Sequence, residues 1–373
     1  MCATALLASC LAPLAAGEGE QDDYEMFVTV DETKVSIISG NLTVAVTLDW
    51  PRMVFWHSVD PFSPTFDIGF PKLYLFNDTD GDGRFCRSEA GFTVYLDSNH
   101  VEWNVSSVST GVASELGDYV EFSMSTQADA FNSTIDAPPS VESWANITFW
   151  FRLAENDTSY ENPAGRHCVT GKTEMLVNMT LEVTNRTDFQ DMAVERYLQG
   201  GGTTNMFQVL EDGPEGNVSA VLSGRDDESL DGDEFTRPLN GTASSIQSIR
   251  LAKDDGTVQA FYHWGSTATG TSVGEPSEIV VNSSCYTDGA GLVLHSALPL
   301  SNGTVAFSLD SSLGIVESGF AGKITDWLKE HVYAVMAAVA AAAVLLSAVS
   351  YLVLRSRRNK SERPADEELN KSP

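Results

Sequence analysis

Val177-Asn178-Met179-Thr180-Leu181-Glu182-Val183 alternates apolar and polar residues without a break. Successive side chains of an extended strand point to opposite faces, so Val177, Met179, Leu181 and Val183 share one face and Asn178, Thr180 and Glu182 the other. One buried face and one wetted face is the pattern of an antiparallel sheet. Asn146-Ile147-Thr148-Phe149-Trp150-Phe151 repeats it, with Asn146 opposite to Ile147, Phe149 and Phe151.

Outward from these two segments, short β-rich or alternating runs recur along the chain. They lie at 26–30, 34–39, 41–48, 52–57, 72–76, 92–97, 101–109, 117–126, 144–153 and 174–184, then at 204–210, 217–222, 246–252, 257–263, 278–283, 291–296 and 303–309. Helical periodicity is nearly absent from 24 to 310. Asp255-Gly256, set between IRLA and TVQAFYH, reads as a hairpin turn. The expected fold is all-β: an antiparallel β-sandwich ectodomain, either two sandwich subdomains at 24–160 and 161–310 or one large two-sheet domain. Broad loops are expected at 127–143, 154–172 and 223–240, and the Gly200-Gly201-Gly202 run reads as a joint. The apolar run Trp50 to Trp56 is expected to be a buried strand following Pro51.

The two ends set an expected topology. Val332 to Leu354 is 23 residues without a charge, long enough to cross a bilayer as a helix. Arg355, Arg357, Arg358 and Lys360 follow it at once, which places a 355–373 tail in the cytoplasm and the rest outside. Residues 311–331 read as a stalk. Met1 to Ala16 is apolar and Ala15-Ala16-Gly17 offers a small-residue cleavage site, so 1–17 reads as a signal peptide. Leu7-Ala8-Ser9-Cys10 is the alternative, a lipobox cleaved before a lipidated Cys10. The expected location is therefore the plasma membrane in type I orientation.

Charge narrows the partners. Asp plus Glu number 52 against 22 Lys plus Arg, a net charge of −30. Nucleic acid binding needs a basic footprint, so that class is excluded. The Asp-rich, Lys-poor profile resembles that of proteins from salt-loving archaea.

Asparagine is distributed far from chance. Of 17 Asn, 14 stand in Asn-x-Ser/Thr with x not proline, where a Ser plus Thr content of about a fifth places only about three. Twelve precede the apolar 23-mer: Asn41, Asn77, Asn104, Asn132, Asn146, Asn156, Asn178, Asn185, Asn217, Asn240, Asn282 and Asn302. Sequons on the wetted face of half-buried strands, as at Asn146 and Asn178, accept a glycan without unfolding anything.

One twelve-residue motif points to a metal. Asp78-Thr79-Asp80-Gly81-Asp82-Gly83-Arg84-Phe85-Cys86-Arg87-Ser88-Glu89 fits D-x-D-x-D-G-x5-E. Carboxylates of Asp78, Asp80 and Asp82, the Arg84 carbonyl and a bidentate Glu89 are the oxygen ligands such a loop offers a calcium ion, and Gly83 permits its sharp turn. The loop resembles the calcium loop of EF-hands over these twelve residues alone, because its flanks KLYLF and FTVYL read as strands and Cys86 holds the ninth position. A structural calcium that staples two strands is the expectation. The acidic run Asp226, Asp227, Glu228, Asp231, Asp233 and Glu234 reads as a solvated charge cluster.

Cys86, Cys168 and Cys285 are disulfide candidates, with Cys168–Cys285 and Cys86–Cys168 the pairs considered. The H-E-x-x-H signature of zinc-dependent hydrolysis does not occur in the sequence. The functional expectation is a glycosylated, non-enzymatic, single-pass cell-surface protein with an envelope or adhesion role, partnered by the membrane and by other surface proteins or glycans. A viral envelope spike and an extracytoplasmic hydrolase acting on glycans are the alternatives.

Overall fold

The computed structural model describes residues 26–316 except 59–64, 134–140, 163–164, 186–187, 201–203, 212–217, 224–236, 240–245, 254–257, 272–275, 289–290 and 301–302. The expected signal peptide at 1–17, the apolar 23-mer with its flanks, the 226–234 acidic run and the expected turn at Asp255-Gly256 lie outside the described residues. Among the described residues no helix is long and apolar enough to cross a membrane.

Among the described residues the regular structure is nearly all strand, arranged as two antiparallel sheets. The first sheet runs β1 (Phe27–Val30), β2 (Lys34–Ser39), β3 (Leu42–Thr47), β4 (Arg52–His57), β5 (Phe66–Phe76), β14 (Asp191–Gly200), β23 (Gly291–Pro299), β22 (Asn282–Asp288) and β17 (Arg237–Leu239), each hydrogen-bonded to the next. β6 (Ala90–Tyr95) pairs with the second half of β5, on the edge whose first half β4 occupies.

The second sheet begins with β7 (Asn104–Val105) and β8 (Ser109–Ala113) on β9 (Gly117–Asn132), then β10 (Val141–Ala154), β13 (Glu174–Asn185) and β24 (Gly303–Ile315). The far edge of β24 takes β19 (Val258–Gly265), continued by β18 (Ile246–Lys253), β15 (Thr204–Glu211) and β16 (Val218–Ser223). It also takes β20 (Thr267–Thr271), which carries β21 (Ser277–Val280). β9 ends by pairing with β6 and so links the two sheets. A separate hairpin, β11 (Thr158–Asn162) with β12 (Gly165–Val169), occupies part of the expected 154–172 loop.

Alternation explains the layering. Ile68, Phe70 and Leu73 of β5, Met192, Val194 and Leu198 of β14 and Leu292 and Leu294 of β23 turn inward from the first sheet. Ile147, Phe149 and Phe151 of β10 and Val177, Met179, Leu181 and Val183 of β13 turn inward from the second. They meet in one hydrophobic cluster, with Phe70 and Phe149 edge to face at 4.9 Å across the gap. This is sandwich-like packing, with the second sheet's Asn146, Asn178, Thr180 and Glu182 on the face away from the core. The expected alternation at 146–151 and 177–183 is what the structure contains. The strands on either side of residue 160 share both sheets, because β5 pairs with β14 and β10 with β13.

Several elements differ from the sequence reading. β14 has no counterpart among the expected runs, and β24 continues to Ile315 rather than ending at 309. Its Ser311, Leu313 and Ile315 are buried, so the first residues of the expected stalk belong to the folded unit. The Trp50–Trp56 run is a paired strand, with Met53, Phe55 and His57 buried.

No disulfide joins Cys86, Cys168 and Cys285. Cys285 points from β22 into the core and Cys168 is exposed on the β11–β12 hairpin. Cys86 stands in the loop whose Phe85 packs on the opposite, outer face of the first sheet. The sheet itself separates Cys86 from Cys285.

Candidate calcium loop and the sheet face beneath it

Residues 77–89 are the connection between β5 and β6, so the acidic loop closes a hairpin as the strand-like flanks implied. Its backbone is wound around its own carboxylates. Asp78 Oδ1 accepts from Gly81 N at 2.7 Å and Oδ2 from Gly83 N at 2.7 Å. Asp80 Oδ1 accepts from Asp82 N at 3.1 Å, and Asp82 Oδ1 from Arg84 N at 2.8 Å. Gly81 and Gly83 take φ of +79° and +73°, where a side chain is strained. At Gly83 a Cβ would also meet the Asn282 amide at 2.7 Å.

One oxygen from each of Asp78, Asp80 and Asp82 falls in a group whose members all lie within 4.8 Å of one another. Such all-oxygen donors are what a hard cation selects. Glu89 stands apart from that group: Oε1 accepts from Thr79 N at 2.8 Å and Thr79 Oγ1 at 2.7 Å, and Oε2 from Cys86 N at 3.2 Å. It lies in a short 3-10 turn, Arg87–Glu89, and clamps the two ends of the loop together. Arg84 contributes its N–H to Asp82 and its guanidinium to Asp82 Oδ2 at 3.4 Å.

The charges in the loop disturb each other. Burial pushes the Asp78 carboxyl up, but the N–H groups of Gly83 and Gly81 outweigh it and hold the group below its ordinary value. Asp80 goes the other way. The Asp82 N–H pulls it down, yet desolvation, the Asp82 charge, the Asp78 side chain and the Glu89 charge together raise it. Asp191 of β14 is a fifth carboxyl at the site. Desolvation raises it, with the charges of Asp78 and Glu89 adding, while the Asp78 N–H it accepts works against them. Sequence reading missed Asp191, because it lies 113 positions from Asp78 and only the pairing of β14 with β5 brings it there.

Beneath the loop the outer face of the first sheet carries a second, smaller cluster. Phe85 is 2% exposed and stacks on Tyr74 at 4.6 Å, with Phe76 at 5.1 Å and His295 at 4.7 Å. Tyr74, Glu195 and His295 lie on neighbouring strands β5, β14 and β23. Glu195 Oε2 accepts from the Tyr74 hydroxyl at 3.0 Å and from His295 Nε2 at 3.1 Å. Burial opposes the Glu195 charge, but the His295 bond and charge, Lys72 and Tyr74 overcome it and keep the carboxyl below its ordinary range. Burial and the Glu195 charge push the Tyr74 hydroxyl far up. Both faces of β23 are thereby covered, which is why eight of its nine residues are buried.

The second sheet has a comparable buried carboxylate. Glu174 accepts from Thr170 N at 2.8 Å and from Ser312 Oγ, with His263 Nδ1 at 3.5 Å. Burial raises its carboxyl, and the His263, Ser312 and Thr170 bonds more than reverse that.

The described sequons are all accessible to some degree. Asn77, Asn104, Asn146, Asn156 and Asn282 are exposed and Asn41, Asn132 and Asn178 half-buried, while the side chains of Asn185, Asn217, Asn240 and Asn302 lie outside the described residues. Asn77 Oδ1 accepts from Gln190 N at 3.0 Å. Asn178 Nδ2 donates to Ser308 Oγ at 3.0 Å and to Asp310. No protein-family model matches the chain, and no curated protein matches it in sequence.

Proposed function

We propose that this chain is the glycosylated, calcium-stabilised ectodomain of a single-pass cell-surface protein, with an interaction or envelope role rather than a catalytic one. The observation that supports it most is the sequon set: twelve sites precede the apolar 23-mer, and every one whose side chain is described reaches the surface. A chain under no pressure to carry sugar would bury some of its asparagines or leave them outside the motif. The 332–354 segment and its basic flank support the same outside location independently. Calcium is proposed at Asp78, Asp80 and Asp82, with the Arg84 carbonyl and Glu89 completing the shell once Glu89 gives up its bonds to Thr79 and Cys86.

Mass spectrometry of the protein from its native membrane tests the reading. Sugar is expected on several of Asn77, Asn104, Asn146, Asn156 and Asn282 and none on Asn359 or Asn370. Twelve bare sites, or sugar on the tail, would refute it.

A further inference from the structure

The outer face of the first sheet holds a pocket of about 200 Å³ beside the half-buried Glu195. Its chemistry comes from Trp50, Lys72, Arg87, Glu195, Tyr197 and Tyr286. Three aromatic rings in so small a space are one notable fact. The charge is the other: in a chain at −30, this pocket gathers two cations against a single carboxylate. We infer that it binds one acidic sugar ring, a pyranose bearing a carboxylate or sulfate.

Each part of that ligand has a counterpart in the wall. The rings of Trp50, Tyr197 and Tyr286 offer apolar faces of the kind on which the C–H face of a sugar stacks. Two of these rings are set in place by glycines: Trp50 lies where a Cβ on Gly69 would come within 2.8 Å, and Tyr197 where a Cβ on Gly291 would come within 2.4 Å. Both hydrogen bonds to Glu195 land on Oε2, and Oε1 accepts none among the described residues. That oxygen is an acceptor for a ring hydroxyl. Lys72 and Arg87 supply the charge-assisted bonds that an anionic substituent needs. The volume lies below that of sites for drug-sized ligands, which fits a single ring rather than a chain of them.

The inference gives the interaction role proposed above a ligand class, and rests on that reading only for the extracellular source of the sugar. Binding is therefore measured on the purified full-length chain, where neither topology nor glycosylation enters. Tryptophan fluorescence and calorimetric titration with glucuronate, glucose 6-sulfate and glucose are the probes. Glucuronate or the sulfated sugar should saturate the protein at about millimolar concentration, with glucose about tenfold weaker or more. Whichever of the two anions binds more tightly identifies the substituent. Lys72→Gln should weaken the anionic sugar about tenfold and leave glucose unchanged, and Trp50→Ala should weaken all three. Both positions are half-buried on the outer face, so an unchanged melting temperature verifies that the variants are folded. Equal affinity for glucose and both anions, or saturation of neither anion by about 10 mM, would overturn the inference. So would a Lys72→Gln variant that binds the anions as the parent does.

Discussion

Removing the Phe85 ring tests whether the acidic loop is seated on the sheet or merely attached at its two ends. Phe85 is 2% exposed and touches three aromatic side chains of the outer face. Truncation of a buried Phe to Ala costs about 3–5 kcal/mol, and this site belongs at the lower end because a loop collapses over a gap more easily than a core does. The expected cost is therefore about 3 kcal/mol. For the roughly 290 residues of the folded unit the unfolding entropy is about 0.6 kcal/mol/K, which converts that loss into a fall in Tm of about 5 °C. Circular dichroism melts of parent and Phe85→Ala at matched calcium and salt measure it. Phe85→Leu should recover more than half of the difference, since most of the apolar contact returns. A shift below about 1 °C for Phe85→Ala would refute the reasoning, because it would mean that the ring is not packed against Tyr74 and His295 in solution.

Calcium at millimolar concentration should raise Tm relative to chelator at fixed ionic strength, by mass action on the folded state, with magnesium a poor substitute. Asp78→Ala should remove most of that increment, and identical melts in calcium and chelator would leave the loop an acidic turn. Stability should also depend on acid through Glu195 and Glu174. Both carboxyls are held below the ordinary value of 4.5, so their contribution is complete above about that pH and is lost as pH falls through the lowered values. Glu174→Gln should flatten the acid limb of a Tm-versus-pH curve, and an unaltered limb would count against the Glu174 bonds. Replacing the buried Arg196 by Leu should leave Tm unchanged or raise it, as its guanidinium has Ser296 Oγ at 2.7 Å and two aromatic faces but no carboxylate among the described residues. A drop of several degrees would show that the charge has a partner. Finally, Asn178 should carry less sugar than Asn104 or Asn156, because its amide nitrogen is committed to Ser308 and Asp310. Full occupancy at Asn178, found by glycopeptide mapping, would show that those bonds form only after modification or not at all.

Much of the sheet structure was legible because alternation is a local signal. β2 and β4 fall on the expected residues, and the wetted faces of β10 and β13 follow from the sequence directly. β14 escaped for an equally local reason. Its inward positions read Met192, Val194, Arg196 and Leu198, so a buried charge interrupts the apolar period in the middle of the strand. Arg196 is accommodated by Phe70 and Tyr262, residues far away in the chain, and no window around it predicts them. The calcium motif was readable in its spacing, but its support was not. Asp191, the Glu195–His295 pair and the His295 ring of the Phe85 seat arrive by strand pairing across a hundred positions or more.

The position of β24 sets a condition on how this chain folds. It is the last described strand, yet it lies inside the second sheet, pairing with β13 along one edge and with β19 and β20 along the other. Asn178 meets its partner Asp310 only once the chain has advanced by a further 132 positions. Loops of that length make closure slow, since the entropy of bringing the ends together is lost before any contact compensates it. The sheet stays open at its middle until Gly303–Ile315 has emerged. Until then β13 is an edge strand in waiting, paired with β10 on one side and with unpaired backbone on the other. Sugar found at Asn178 would therefore date its attachment to that interval, before Ser308 and Asp310 of β24 take up the amide.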